Sequence, residues 1–318
     1  MQVDQNEYAP VFIPTLCRYE HFKRCVDSLS RCTGAEYTTL IIGLDYPLNE
    51  SHWEGYRKIK DYILSIQGFK KVIVLERPEN YGALKNGEEA FKYIYKQYDK
   101  LILSEDDNEF SPNFLEYINK GLIIYNEDPR VIAICGYMSP HDHAIRKGRT
   151  FLCTGYSAWG TGLWREKHLN IRKIFNIDGM GEILFSWKKS LYLFMISPKD
   201  LNSLLTMYTK KLIWGDVLIV SNNILNAQGS IMPSLSKVRN WGNDGSGLHS
   251  KIDKNLSTQE IDENENFDYN EDSDSLHLIN YTPHRLNLWI KCLILIRYLL
   301  YRFTHKDLLA YHYKNVNH

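Results

Sequence analysis

Residues 100–107 read Lys-Leu-Ile-Leu-Ser-Glu-Asp-Asp, a short apolar run that ends in three adjacent acids. The run has the length and composition of a buried strand, and a turn with Pro112 followed by a helical pattern comes after it. Three neighbouring carboxylates repel one another unless a cation lies among them. Hard divalent cations prefer oxygen ligands, and Mg²⁺ commonly takes one or two carboxylates together with substrate phosphates. The acid triplet Glu105, Asp106 and Asp107 therefore indicates either a metal-bridged phosphate site or an acidic surface turn.

Upstream of the acid triplet, apolar runs alternate with amphipathic helical patterns. The strand-like runs and the helical patterns occupy, in chain order, residues 10–13, 22–29, 39–44, 53–66, 71–75 and 87–97. This alternation predicts an α/β fold with a mostly parallel sheet flanked by helices on both faces. Ligands of such sheets bind beyond the carboxyl ends of the strands. Arg18, Asp45, Asn80 and the acid triplet all follow predicted strands, so we expect one site at that edge.

The composition excludes several classes of protein. The chain of 318 residues has a formal net charge of zero, which gives no bulk attraction to nucleic acid. Its six cysteines show no C-x-x-C pair and no zinc-type spacing with histidine. The polar N-terminus lacks the basic and apolar regions of a signal peptide. These features predict a cytoplasmic protein with reduced thiols and no nucleic-acid partner.

The last quarter of the chain changes character twice. Residues 251–282 are acidic and polar, which predicts a linker between the domain of residues 1–250 and a helical tail over residues 283–318. Residues 286–303 are strongly apolar but contain Lys291, Arg297 and Arg302. This pattern suits an interfacial helix on the inner face of the plasma membrane, or equally a helix docked on the protein's own domain or on a second subunit.

Residues 101–117, with the acid triplet, the proline turn and the aromatic helix start, resemble the GT-A glycosyltransferases. The resemblance is to the N-acetylglucosaminyltransferase I type family and to related bacterial family 2-like transferases. Residues 240–249, a glycine-rich segment that ends in histidine, also resemble bacterial members. The resemblance covers residues 9–250 and implies a GT-A fold, a nucleotide-sugar donor and a Mn²⁺ or Mg²⁺ cofactor.

The resemblance also implies roles for individual side chains. Asp107 matches the acid that binds the cation at the nucleotide diphosphate, with Asp106 and Glu105 shaping the site. Arg18 and Asp45 match positions that hold the donor nucleotide. The other predicted donor-binding residues are Pro14, Thr15, Asn80, Trp159 and His249. Each has an ordinary structural alternative, such as helix capping for Thr15, a turn for Asn80 and core packing for Trp159.

Asp216 matches, within one position, the region of the family that provides the catalytic base. An inverting transferase needs a carboxylate within hydrogen-bond reach of the acceptor hydroxyl. The family relative has two adjacent acids here, whereas this chain has Gly215 and Asp216. The alternative is an aspartate favoured at a helix start by the helix dipole.

We therefore predict a metal-dependent, inverting transfer from a nucleotide-sugar, with a UDP-sugar as the expected donor. The expected acceptor is a bacterial surface glycan, and the basic apolar tail suggests that it is lipid-linked. One rival function is a sugar-nucleotide nucleotidyltransferase, but residues 14–18 lack the glycine-rich phosphate loop that it needs. The other is a catalytically inactive glycan-binding or assembly subunit.

Overall fold

The structure, a computed structural model, describes residues 3–5, 7–139, 150–242, 244, 257–269, 277–280 and 286–309. The chain forms two compact units. Unit 1 consists of Met1–Leu152, Ser157–Lys167 and Ser230–His277. Unit 2 consists of Cys153–Tyr156, His168–Gly229 and Leu278–His318. The two units interleave along the sequence: the chain leaves unit 1 three times and returns to it twice.

The strands form a large sheet in the order β3-β2-β1-β4-β8-β6-β9-β7 and a two-stranded sheet of β10 and β5. Their bounds are β1 Val11–Thr15, β2 Thr39–Leu44, β3 Lys71–Val74, β4 Lys100–Leu103, β5 Asn108–Phe110, β6 Val131–Cys135, β7 Thr150–Cys153, β8 Thr161–Trp164, β9 Gly229–Pro233 and β10 Val238–Asn240. Strands β3, β2, β1 and β4 are mutually parallel, whereas β8 runs antiparallel to both β4 and β6.

The helices surround this sheet in unit 1 and form most of unit 2. Their bounds are α1 Tyr19–Ser30, α2 Trp53–Ile63, α3 Gly82–Ile94, α4 Phe114–Ile124, α5 Arg165–Arg172, α6 Ile177–Leu184, α7 Trp187–Ile196, α8 Pro198–Lys210, α9 Gly215–Asn226 and α10 Leu288–Thr304. The predicted α/β fold, with a mainly parallel sheet flanked by helices, is confirmed. All six residues of β2 are buried, as expected for a strand covered on both faces.

Helix α3 begins at Gly82, five residues before the predicted start. The reason is a contact that sequence periodicity does not show. Both carboxylate oxygens of Asp45, at the end of β2, accept hydrogen bonds from the backbone N–H groups of Tyr81 and Gly82. Asp45 therefore caps the helix from a distant part of the chain, which extends α3 toward the carboxyl edge of the sheet.

Residues 257–269, within the predicted linker, pack on the rest of unit 1. Phe267 and Tyr269 are buried, and the ring of Tyr269 stacks on Tyr117 of α4 with centroids 5.5 Å apart. The buried ammonium of Lys237 pairs with the Asp262 carboxylate. This acidic segment differs from a linker because unit 1 provides aromatic surface and a buried cation for it.

Unit 2 has its own apolar core, formed by helices α6–α10. One face of α10 contributes to it: the Tyr298 hydroxyl donates to the Leu184 carbonyl at 2.8 Å, and the buried Arg297 pairs with Asp307 at 2.5 Å. Of the two interpretations of residues 286–303, docking on the chain's own helices therefore holds for this face. No helix in the described ranges is long and apolar enough to cross a membrane.

Candidate active site

The acid triplet lies directly after β4, at the edge where β1 and β2 also end. The Ser104 amide donates to the Phe12 carbonyl at 3.0 Å, which continues the pairing with β1. The Asn108 side-chain amide donates to the Ser104 hydroxyl at 2.9 Å and so closes a tight turn around the three acids. The chain then enters β5, which pairs with β10. The triplet is thus held between the large sheet and the small one.

Arg18 forms the electrostatic centre of the site. Its guanidinium pairs with the carboxylate of Asp106, and its Nη1 lies 2.9 Å from Asp107 Oδ2. The Thr15 hydroxyl donates to Asp106 Oδ2 at 2.9 Å. Burial by itself lowers the pKa of Arg18, but the two carboxylates outweigh it and raise this pKa above its ordinary value. One guanidinium thus holds two buried carboxylates side by side.

Burial dominates the electrostatics of the other two acids. It raises the pKa of Asp106 above its ordinary value, although Arg18 opposes the shift. Burial, reinforced by the charges of Asp107 and Asp106, raises the pKa of Glu105 to about 7, against the opposing effect of Arg18. The Trp159 side chain hydrogen-bonds Glu105 and also opposes this shift. The site therefore holds more acid than a single Arg18 neutralises, which favours binding of a further cation.

Asp107 is positioned from the side of β10. The Asn240 side-chain amide donates to Asp107 Oδ1 at 2.7 Å, and the Trp241 amide donates to the Asp107 carbonyl at 2.8 Å. Gly242 follows, and a Cβ placed on it would lie 2.1 Å from Asp107 Oδ2. Only a residue without a side chain leaves the Asp107 carboxylate where it is.

Asp45 and Asn80 lie at the same edge and are already engaged. Asp45 Oδ1 accepts the amides of Tyr46 and Tyr81, and Oδ2 accepts one hydrogen bond from the described residues, the amide of Gly82 at 2.8 Å. The Asn80 side chain donates to the Tyr46 carbonyl at 2.6 Å. Because a carboxylate oxygen accepts two hydrogen bonds, Asp45 Oδ2 has one acceptor position left for a ligand.

The structure brings most of the predicted donor-binding residues into unit 1. Pro14 and Thr15 lie in β1, and Pro14 pairs with Gly43 of β2. The Trp159 ring packs edge-on against Tyr137, with centroids 4.6 Å apart. Asp216 lies in unit 2, in the first turn of α9. His249 is outside the described residues, so its predicted role stays a prediction.

Sequence reasoning missed Asn240 and Gly242 as determinants of the Asp107 position. The signal was present, since both belong to the glycine-rich segment that resembles bacterial transferases. His249 of the same segment was predicted instead, because histidine is a common metal ligand. The pairing of Asn240 with Asn108 across β10 and β5 depends on long-range strand register, which one sequence does not reveal.

The oxygen atoms around Asp107 suit a hard cation when a substrate completes its coordination shell. Within the described ranges, each Asp107 carboxylate oxygen has one partner, Asn240 on Oδ1 and Arg18 on Oδ2, so each keeps a lone pair for a further ligand. Among the described residues, no group of three or more His, Cys, Asp or Glu side chains is arranged to hold a metal ion. A cation shared between Asp107 and diphosphate oxygens fits these residues, whereas a cage made by the described side chains alone does not.

No protein-family model matches the sequence, and no curated protein matches it. Solved structures do match. A mannosyltransferase from Pyrobaculum calidifontis, in complex with GDP-Man and Mn²⁺, is 12% identical over 52% of this chain and 46% of its own, with a TM-score of 0.39. GalNAc-T7 with UDP, GalNAc and Mn²⁺ is 15% identical over 74% of this chain and 44% of its own, with a TM-score of 0.44. TarS of S. aureus, residues 1–349, is 13% identical over 52% and 49%, with a TM-score of 0.35. The chain spans less than half of each of these structures.

Proposed function

We propose that this chain transfers a sugar from a nucleotide-sugar to a hydroxyl group of a glycan acceptor, with inversion at the anomeric carbon. The observation that carries the proposal is the acid triplet at the carboxyl edge of parallel strands, whose buried Asp106 and Asp107 pair with Arg18. That edge is where α/β sheets bind their ligands. The sequence resemblance to GT-A transferases points to the same residues. We propose a UDP-sugar as the donor and a lipid-linked glycan of surface polysaccharide synthesis as the acceptor.

Asp107 and Arg18 are proposed to hold the donor diphosphate. A divalent cation bound with the diphosphate supplies Lewis-acid stabilisation of the leaving group. Asp107 offers oxygen atoms to that cation and Asn240 keeps the carboxylate in place. Arg18, whose guanidinium now spans two carboxylates, is able to share its donors with phosphate oxygens because Arg forms bidentate pairs with both groups. The remaining acceptor position on Asp45 Oδ2 suits an imide N–H such as that of uracil.

Asp216 is proposed as the base. The acceptor oxygen attacks the anomeric carbon while the bond from that carbon to the diphosphate breaks, and the acceptor proton passes to the Asp216 carboxylate. This assignment rests on the sequence resemblance and on the position of Asp216 at a helix start. Asp216→Asn tests it: we expect the transfer rate to fall by at least about a hundredfold, as for loss of a general base, with donor binding unchanged. Unchanged turnover would remove Asp216 from the mechanism.

Thermal unfolding with candidate nucleotides tests the proposed donor site. A ligand that binds only the folded state raises the unfolding temperature. We expect UDP or a UDP-sugar with Mn²⁺ to raise it, and each component alone to raise it less. Asp107→Asn should abolish the difference, while the exposed control Glu54→Gln should keep it. Equal stabilisation of Asp107→Asn and the wild type would overturn the proposed site, and donor binding without turnover on any acceptor would indicate an inactive binding subunit.

A further inference from the structure

Large apolar side chains that remain exposed in the described residues are concentrated in unit 2. Six of them form what is called here the α7–α10 apolar surface: Trp187, Leu191 and Met195 on α7, and Trp289, Ile296 and Phe303 on α10. Met195, Trp289 and Phe303 are each about 70% exposed, at 69%, 71% and 73%. Exposed apolar side chains grouped on neighbouring helices indicate an interaction site more strongly than the same side chains scattered singly.

The six side chains are arranged in stripes. On α7 they recur every four residues and on α10 every seven, so each set lies along one face of its helix. The stripes meet where the Trp187 ring lies 6.2 Å from the Phe303 ring. Tyr298, on the opposite side of α10, is buried and hydrogen-bonds Ser190 of α7. The two helices therefore pack through one face each and leave their apolar stripes facing outward.

The two helices that carry these stripes have charges of one sign. Neither α7 nor α10 contains an acidic residue, Lys188 is exposed next to Trp187 in the chain, and the Arg302 guanidinium lies 4.0 Å from the centre of the Trp187 ring. Unit 2 as a whole has 13 Lys and Arg against 5 Asp and Glu, a net charge of +8, so unit 1 has a net charge of −8. The zero net charge of the chain thus conceals a strongly basic unit.

We propose that the α7–α10 apolar surface binds the interface of a bilayer that contains anionic lipids. Exposed Trp, Phe and Leu on a helix with basic neighbours suit the boundary between headgroups and acyl chains. A second copy of the chain fits less well, because an isologous dimer through this surface would bring two strongly basic units together. The inference is independent of the proposed transfer reaction, since it rests on unit 2 alone, but it would place a lipid-linked acceptor within reach of the enzyme.

Vesicle sedimentation of the full chain, without donor or cation, tests the proposal. The probes are vesicles of phosphatidylcholine alone and of phosphatidylcholine with phosphatidylglycerol at three to one. We expect the wild type to bind the vesicles with phosphatidylglycerol at least about tenfold more tightly than those of phosphatidylcholine alone, and to lose this binding at high salt. Trp289→Ser with Phe303→Ser should weaken binding more than about tenfold, since each buried aromatic side chain provides much of the binding free energy.

Two further variants keep the outcomes distinct. Lys188→Glu should weaken the preference for anionic lipid, because it reverses the exposed charge next to Trp187. The matched control is Leu48→Ser with Leu84→Ser, which removes two exposed leucines of unit 1 and should bind like the wild type. All these positions are exposed, so the unfolding temperature should change little. Equal vesicle binding by the Trp289 and Phe303 variant would overturn the proposal, as would a wild-type dimer in solution that this variant converts to a monomer. Failure here leaves the transferase proposal intact, because activity on a soluble acceptor is measured separately.

Discussion

Replacing Arg18 by Met should destabilise the donor-free protein markedly. Met keeps the apolar stem but removes the charge that pairs with Asp106 and Asp107, whose side chains are each only 7% exposed. Breaking a buried ion pair from one side commonly costs about 3–5 kcal/mol, because the partner charge is left uncompensated. The Arg18 side chain itself is 24% exposed, so water relieves part of this cost. We therefore expect the free energy of unfolding at pH 7 to fall by about 2–4 kcal/mol.

The matched control is Lys60→Met. Lys60 pairs with Glu76 at 2.7 Å, but both side chains are 46% exposed. Exposed pairs contribute about 0–1 kcal/mol, so this variant should differ little from the wild type. Urea unfolding in EDTA, followed by circular dichroism, gives both values, provided that the dependence on urea is the same in all three proteins. A cost below about 1 kcal/mol for Arg18→Met would show that Arg18 does not hold the two acids together.

Three other changes test the surroundings of the site and the stability of the two units. Gly242→Ala should displace the Asp107 carboxylate, because the new Cβ would lie 2.1 Å from its oxygen. We expect binding of UDP with Mn²⁺ to weaken at least about tenfold while the free energy of unfolding falls by only about 1–3 kcal/mol, and unchanged affinity would contradict this. Lys237→Met should lower the free energy of unfolding by about 3–5 kcal/mol at pH 7, since it leaves the Asp262 carboxylate buried without its cation. Burial alone raises the pKa of Asp262, but Lys237 and Asn113 lower it to about 2. The stabilisation from the ion pair is therefore present above pH 3.8 and lost as the pH falls toward 2. The difference in free energy of unfolding between the wild type and Lys237→Met, measured by chemical unfolding, should shrink over that range. Burial lowers the pKa of His168 from 6.5 to about 4, so the contribution of His168 to stability should fall by about 2 kcal/mol between pH 7 and pH 5 as the unfolded chain takes up the proton. The raised pKa of Glu105 acts in the opposite direction in both proteins, so the quantity to measure is the difference between the wild type and His168→Gln, and a difference that does not change with pH would contradict the assignment.

The sequence revealed the core strands and the acid triplet because both depend on local composition. Strand β2 has its predicted bounds and β4 is the apolar run that precedes the acid triplet, since continuous apolar runs between polar residues leave little choice of register. The start of α3 was missed because its cap, Asp45, lies in another part of the chain. The packing of residues 257–269 was missed for a similar reason: their acidic composition predicts a linker, but buried Lys237 compensates for it.

The sequence predicted the acidic residues of the candidate site but not the side chains that pair with them. That Glu105, Asp106 and Asp107 follow a strand is visible in the sequence. The Arg18 guanidinium contacts both Asp106 and Asp107 because of the side-chain geometry where β1 and β4 end. The order of residues in the sequence does not show this contact. The same holds for the contact of Asn240 with Asp107, which needs the pairing of two short strands far apart in sequence. The sequence showed that residues 286–303 are apolar, but not which face of α10 packs on the other helices of unit 2.

The most direct measurement is calorimetric titration of UDP into the wild type and into Asp107→Asn, each in Mn²⁺ and in EDTA. The proposed site predicts that Mn²⁺ strengthens UDP binding to the wild type at least about tenfold, which corresponds to about 1.4 kcal/mol, and that Asp107→Asn loses this gain. Binding of UDP that is equally strong in Mn²⁺ and EDTA, or a gain from Mn²⁺ that Asp107→Asn retains, would contradict the assignment of the acid triplet to a cation-bridged donor.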